Sequence, residues 1–157
     1  MNKTKKISAL LITYNEVNHI DQVIENISFT DEIIVIDSFS SDGTFKKLNA
    51  MKHVKTIQRN FENFADQRNF AIKQAENDWI LFIDADERIP EKLKTEILKE
   101  VNLPDGTAGF MFKRLYFFKQ KRIRFSGFQT DTTYRLFQKG KVTVSYTHLR
   151  AHETKAN

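Results

Sequence analysis

Four short apolar runs rich in β-branched residues, separated by polar segments of helical length, constrain this chain more than any other feature. They are "ISALLI" (residues 7–12), "EIIVID" (32–37), "HVKTIQR" (53–59) and "WILFIDA" (79–85). Alternation of strands with helices predicts an α/β fold: a mostly parallel central sheet flanked by helices on both faces. The second link opens with "SSDGT", whose Gly43 marks a turn before a short helix. A clearer helix is expected over about Phe64 to Glu76. A fourth opens at Pro90, a favourable first-turn residue, and carries Leu93, Ile97, Leu98 and Val101 at helical spacing. With 157 residues, 40% of them apolar, the chain is long enough for one domain with a real core.

Beyond "LPDGT" the texture changes. "GFMFKRLYFFKQKRIRF" mixes aromatic residues with cations and predicts a long strand running into a loop, and "TYRLF" and "KVTVSY" suggest further strands. This half is expected to lie as an antiparallel edge or subdomain against the α/β half. Charge divides at the same place. Residues 1–109 hold 14 Lys and Arg against 18 Asp and Glu, whereas residues 110–141 hold 9 Lys and Arg against Asp131 alone. Such a basic segment suits phosphates, anionic lipid headgroups or nucleic acid, and equally an ordinary solvated face; charge alone does not choose. There is no cysteine, which excludes a disulfide framework and a thiolate metal site. The basic start "MNKTKK" leads into an apolar run too short for a signal segment or a membrane span, so a cytoplasmic protein, soluble or peripheral to a membrane, is the expectation.

In open α/β sheets ligands bind at the carboxyl ends of the strands. Three polar clusters are expected on that rim: Thr13, Asn15 and Glu16 after the first strand; Asp37, Ser40, Ser41 and Asp42 after the second; Asp84, Asp86 and Glu87 after the fourth. Asp42 fits a helix cap as well as a binding role. Asp37 fits simple initiation of the turn, but it ends its apolar run earlier than a cap requires, which favours a ligand contact such as a base or ribose. Thr13 and Asn15 suit capping of the next helix, with Glu16 in its first turn, and capping is compatible with binding. Arg68 lies four residues from both Phe64 and Ile72, within an apolar stripe. It either snorkels to solvent or pairs with Asp37, Asp84 or a bound phosphate, with Asn69 beside it.

Asp84 and Asp86 are the strongest signal. In an extended conformation they face one side, about 6 to 7 Å apart, and repel each other unless a cation intervenes. Oxygen ligands favour Mg²⁺ or Mn²⁺, whose shell is commonly completed by substrate phosphates. Unligated surface acids are the competing explanation, because D-x-D patterns also arise by chance. Glu87 carries no comparable signal and is expected to be a local partner of Arg88.

Taken together, "LITYNE", "IIVIDSFSSDGT", "FADQRNFAI" and "WILFIDADERI" resemble, in order and spacing, the family 2 glycosyltransferases of GT-A fold. Within that family the chain is most similar to bacterial β-glucosyltransferases of the lipopolysaccharide inner core. The resemblance covers about residues 5–141. It implies metal-dependent, inverting transfer from a nucleotide sugar, UDP-glucose, to a lipopolysaccharide core or related anionic glycolipid acceptor. It further implies that Thr13, Asn15 and Glu16 line the nucleotide pocket, that Asp37 contacts the base, and that Arg68 lies near the diphosphate. Asp84 would reach the ribose or the metal-bound diphosphate, and Asp86 would bind the metal. Asp131, ahead of "RLF", matches the position of an acid in the family and is nominated as acceptor-binding or catalytic base; an exposed turn aspartate is its other reading. Arg135 would then pair with Asp131 or bind acceptor phosphate.

The likeness stops after "RLFQKGKV". "SYTHLRAHET" resembles translated sequencing-adapter DNA, so residues 142–157 are expected to be a non-native or disordered tail on a C-terminally truncated GT-A domain, and His148, His152 and Glu153 are left out of the site. Two other classes stay open: a catalytically inactive nucleotide-sugar-binding fragment, and a phosphohydrolase with D-x-D at a strand end. In the latter the pair follows the first strand, not the fourth. Binding of nucleic acid would leave the acidic clusters of the first half unused. The basic, aromatic-rich segment 110–141 is instead expected to meet an anionic acceptor at the inner face of the cytoplasmic membrane.

Overall fold

A computed structural model of the chain describes residues 4–103, 106–119, 121–123, 132–144 and 149–151. Its first half alternates as the hydrophobic runs require: β1 (Ile7–Thr13), α1 (Ile20–Asn26), β2 (Glu32–Asp37), α2 (Thr44–Asn49), β3 (Val54–Gln58), α3 (Phe64–Gln74), β4 (Trp79–Phe82) and α4 (Glu91–Glu100). The second half adds β5 (Gly109–Lys113), β6 (Phe117–Phe118), β7 (Lys121–Arg122), β8 (Thr132–Gln138), β9 (Val142–Val144) and β10 (Leu149–Ala151). Six strands form one sheet in the order β3-β2-β1-β4-β8-β5. The first four are mutually parallel, whereas β8 runs antiparallel to both β4 and β5. The expected mostly parallel sheet is therefore what the chain forms, with its antiparallel strand β8 inserted between β4 and the edge strand β5.

Period-two alternation sends each strand's side chains to two cores. Ile7, Ala9 and Leu11 of β1, with Ile33 and Val35 of β2, face Ile20, Val23, Leu48, Ile97 and Val101 from α1, α2 and α4. Leu10, Ile34, Ile36, Ile80 and Phe82 face the other way, against Ala71 and Ala75 at α3 and Phe137 of β8. Burial on both sides explains why "IIVI" is apolar throughout; each such side chain contributes roughly 1.5–3 kcal/mol when fully buried. Gly109 is required where β5 meets β8, because a Cβ there would lie 2.8 Å from the Phe137 Cβ.

Several local expectations change. The fourth apolar run leaves the sheet at Phe82, and only the Ile83 amide still reaches β1, donating to the Leu10 carbonyl at 3.1 Å. Asp84 and Asp86 thus lie in a turn and not on an extended strand. Pairing of β4 ends at Leu81 with β8 and at Phe82 with β1, so no ladder holds the chain straight beyond Phe82. The long basic strand is likewise broken. β5 stops at Lys113, and β6 and β7 form a separate hairpin turned at Lys119, whose φ is 44°. Pro90 caps α4 from outside instead of occupying its first turn. In the segment expected to be tail, β9 pairs with β10, and Val142 is 4% exposed within the second core. Among the described residues no helix is long and apolar enough to cross a membrane.

Candidate active site

The carboxyl ends of β1 and β2 are joined by reciprocal hydrogen bonds between the loops that follow them. The Asn15 amide donates to Ser40 Oγ at 2.8 Å and the Ser41 amide to Asn15 Oδ1 at 2.9 Å. The Glu16 amide donates to Thr44 Oγ1 at 2.9 Å and the Val17 amide to Asp42 Oδ2 at 3.0 Å. Both loops pass through left-handed conformations, Asn15 at φ 57° and Phe39 at φ 58°. Asparagine tolerates that region because its short amide bonds locally; a phenylalanine there is strained, and such strain concentrates at functional loops.

Neither Thr13 nor Asn15 caps the next helix. α1 begins only at Ile20, with His19 at its N-cap, because the Glu16 carbonyl first closes a turn on the His19 and Ile20 amides. The Glu16 carboxylate lies 2.7 Å from His19 Nδ1. Asp42 does serve α2, accepting from the Thr44 amide at 2.9 Å, and its hydrogen bonds with Thr44 and Val17 outweigh desolvation and hold its pKa below the ordinary carboxylate value.

Asp37 is fully buried. Its carboxylate accepts from the Ser40 amide at 3.0 Å, from Gln58 Nε2 at 3.1 Å, from the Ser40 hydroxyl, and more weakly from Thr13 Oγ1 at 3.5 Å. In this conformation it organises the Ser40 loop.

α3 starts at the Asn63 cap, whose side chain accepts from the Asp66 amide, and its buried stripe is Gln67 and Ala71. Phe64, expected in that stripe, is 64% exposed and meets Phe61 edge to face at 5.0 Å. Gln67 is fully buried and bridges Ser38 and the Arg59 carbonyl, each at 3.3 Å; its polarity concealed it within the helical pattern. Arg68 flanks the stripe. Its guanidinium lies over the Phe82 ring at 5.7 Å and 3.6 Å from Asp84 Oδ1, so of the partners considered for it, the structure supplies Asp84 and not Asp37. Burial lowers its pKa despite the Asp84 charge.

At the end of β4, the Glu87 amide closes a turn on the Asp84 carbonyl at 3.0 Å. Arg135, 4% exposed and projecting from β8, donates through Nη2 to Asp84 Oδ2 and Glu87 Oε1, both at 2.7 Å. Glu87 Oε2 accepts from the Asp84 amide at 3.1 Å, and Arg114 lies 4.0 Å from Glu87 Oε1. Among the described residues Arg135 is engaged by the acidic turn, whereas its expected partner Asp131 lies outside them. Glu87 is a partner of Arg135, whereas the Arg88 guanidinium donates to the carbonyls of Ala85 and Glu87. Burial opposes ionisation of Asp84, yet the Arg135 hydrogen bond and the Arg135, Arg68 and Arg114 charges prevail and lower its pKa. For Glu87 burial prevails and raises it.

Asp86 is exposed, with no hydrogen bond or ion pair to a described residue. Among the described residues no three His, Cys, Asp or Glu side chains converge as a metal site. The protein thus offers Asp86, with Asp84 beside it, as a hard oxygen donor set. That set fits Mg²⁺ or Mn²⁺ when phosphate oxygens complete the shell. The Nε atoms of Arg68 and Arg135 are buried and lack a hydrogen-bond partner, leaving two guanidinium donors unmet beside the acids. Asp131 lies outside the described residues. Gln67 carried no signal in the sequence, and the pairing of Glu87 with Arg135 was not foreseen although both residues were singled out; the cation inside the apolar "YRLF" run was its one available sign.

The model of a family described as "Glycosyl transferase family 2" matches residues 8–152. A protein of Rickettsia conorii called an uncharacterized glycosyltransferase is 41% identical over 103 residues, 62% of this chain and 35% of its own length. The Rhizobium meliloti lipopolysaccharide core biosynthesis glycosyltransferase LpsC is 32% identical over 99 residues, 60% of this chain and 36% of its own. Among solved structures, the Pyrobaculum calidifontis mannosyltransferase PcManGT, in complex with GDP-Man and Mn²⁺, superposes with TM-score 0.59 at 26% identity, over 68% of this chain and 34% of that one. Staphylococcus aureus TarS 1–349, in complex with UDP-GlcNAc, gives 0.52 at 29% identity, over 60% and 31%. The chain spans about a third of the length of these relatives.

Proposed function

The chain belongs to glycosyl transferase family 2, and from that membership we propose that it binds UDP-glucose with Mg²⁺ or Mn²⁺ and serves inverting transfer to a lipopolysaccharide core or related anionic glycan. The observation that carries this reading is the Asp84–Glu87 turn at the end of β4, where an exposed, unpartnered Asp86 accompanies two arginines, Arg68 and Arg135, whose buried Nε donors are unmet. Negative oxygens and a small cation together answer both needs, and a nucleoside diphosphate supplies such oxygens.

In this reading Thr13, Asn15, Glu16 and Asp37 form the nucleoside side of the donor site, Asp37 contacting the base. Arg68 faces the diphosphate, Asp84 the ribose or diphosphate, and Asp86 the metal. A bound metal would stabilise negative charge on the departing UDP. The acceptor hydroxyl attacks the anomeric carbon in line, the bond from that carbon to UDP breaks, and the hydroxyl proton passes to a carboxylate, for which Asp131 is our candidate. Similarity to LpsC supports the lipopolysaccharide acceptor, and similarity to TarS with its bound UDP-GlcNAc supports a uridine donor. Leu115 and Phe117 are exposed near the exposed cations Lys121 and Arg122, a combination suited to peripheral contact with an anionic bilayer at the cytoplasmic face.

Calorimetry tests the donor site directly. UDP and UDP-glucose are expected to bind in the presence of Mn²⁺, with binding abolished in Asp86→Ala. A folded chain that binds no nucleotide sugar with metal present would defeat the proposal.

A further inference from the structure

The acids of the site do not hold their own geometry. A turn on an exposed rim, beyond the last strand pairing, is expected to sample several conformations unless side chains fix it. Here they do. Glu87 uses one carboxylate oxygen for the Asp84 amide and the other for Arg135, which gives its side chain a single orientation. The same Arg135 nitrogen bonds the Asp84 carboxylate, so backbone, Glu87, Arg135 and Asp84 close a ring. Arg135 is itself held by burial and by its neighbours, at the register shift between β5 and β8. It is 4% exposed and precedes Leu136, which is paired with both Leu81 of β4 and Phe110 of β5. Asp86 alone takes no part in the ring.

We propose that the Glu87–Arg135 pair is a latch that fixes the Asp84–Glu87 turn and thereby aims the Asp86 carboxylate, making Glu87 and Arg135 positioning residues for the metal-bearing side of the donor site. The metal side of the site is then set by β8, an antiparallel strand of the second half, and not by the parallel sheet alone. The inference rests on the donor-site reading above for its ligand, but not for the latch itself.

Charge and position make opposite predictions. A guanidinium beside a cation site repels the cation, so if Arg135 acted only through its charge, removing it would tighten metal binding. If it positions the turn, removing it weakens binding, as loss of outer partners of metal ligands typically does, by about 10- to 100-fold.

The experiment compares wild type with Arg135→Gln, Arg135→Lys and Glu87→Gln. Amide hydrogen exchange is followed at Asp84 and Glu87 in the unliganded chain, and free Mn²⁺ is followed by electron paramagnetic resonance during titration in the presence of UDP. The latch predicts exchange at both amides faster by about tenfold or more in the Gln variants, with Leu10 and Leu81 amides at wild-type protection. It also predicts weaker Mn²⁺ binding, partly recovered in Arg135→Lys. Unchanged exchange at Asp84 and Glu87 overturns the latch, and Mn²⁺ affinity equal to or above wild type in Arg135→Gln overturns the positioning role. If wild type binds no Mn²⁺ with UDP while exchange responds as expected, the donor-site reading fails and the latch stands as a conformational lock.

Discussion

Across 51 residues of sequence, Arg135 donates through Nη2 to Asp84 Oδ2 at 2.7 Å, joining the strand that completes the sheet to the acidic turn at its rim. Burial of the arginine makes the bond consequential. Removing one member of a buried ionic network leaves the others uncompensated, and Arg135→Leu is expected to destabilise the fold by about 3 kcal/mol. Urea unfolding measures it; a loss below about 1 kcal/mol would mean that water replaces the guanidinium freely.

Acid stability carries two opposite contributions from this turn. Asp84 has a folded pKa below its unfolded value, so its contribution is present above the ordinary aspartate range and is lost as pH falls through the lower folded value. Glu87 has a raised folded pKa, so its contribution is complete below the ordinary glutamate value and is lost as pH rises through the higher one. Asp84→Asn should therefore flatten the acid limb of stability against pH, and Glu87→Gln should remove a decline just above the ordinary glutamate range. Denaturant midpoints measured across both ranges would reveal identical profiles if neither group is coupled to folding.

Asp37 is buried with its carboxylate shared among Ser40, Gln58 and Thr13. Asp37→Ala leaves the partly buried Ser40 and Gln58 donors without this acceptor, with an expected loss of about 1 kcal/mol. Asp37→Asn preserves shape and some acceptors, so its loss should be smaller. Equal thermal midpoints for the two variants would contradict a hydrogen-bonding role.

Asp131→Asn is expected to depress transfer by about 100-fold or more while leaving UDP-glucose affinity nearly unchanged, as for a general base that touches only the acceptor. Initial rates and donor calorimetry on the same preparation separate the two effects. Undiminished turnover would remove Asp131 from the mechanism.

Neutral replacement of Lys119, Lys121, Arg122 and Arg124 together should weaken binding to vesicles containing anionic lipid, at roughly 1 kcal/mol per residue near the surface and less at high salt. Vesicle sedimentation at low salt reads this directly. No change would place the basic segment against something other than a bilayer.

The elements themselves were legible because their signals are local. "ISALLI", "EIIVID" and the helix Phe64–Gln74 carry β-branched runs or a cap at their own positions, and the alternation of strands and helices implies the parallel sheet. The acidic clusters were placed on the right rim for the same reason. What escaped was set by partners far along the chain. Whether Asp84 and Asp86 stay extended depends on where β1 and β8 stop pairing with β4, and whether Phe64 is buried depends on which face of α3 meets the sheet.

Sequence alone thus determined the α/β layout, the polar rim and the identity of the acids, because hydrophobic periodicity and strand ends are properties of neighbouring residues. Only the tertiary structure decided the roles within the acidic cluster. Asp84 and Glu87 are engaged by arginines from α3, from β8 and from the segment after β5, while Asp86 faces solvent. Coulomb interaction and desolvation depend on distance through space, and Arg68, Arg114 and Arg135 reach this turn only once the sheet has closed.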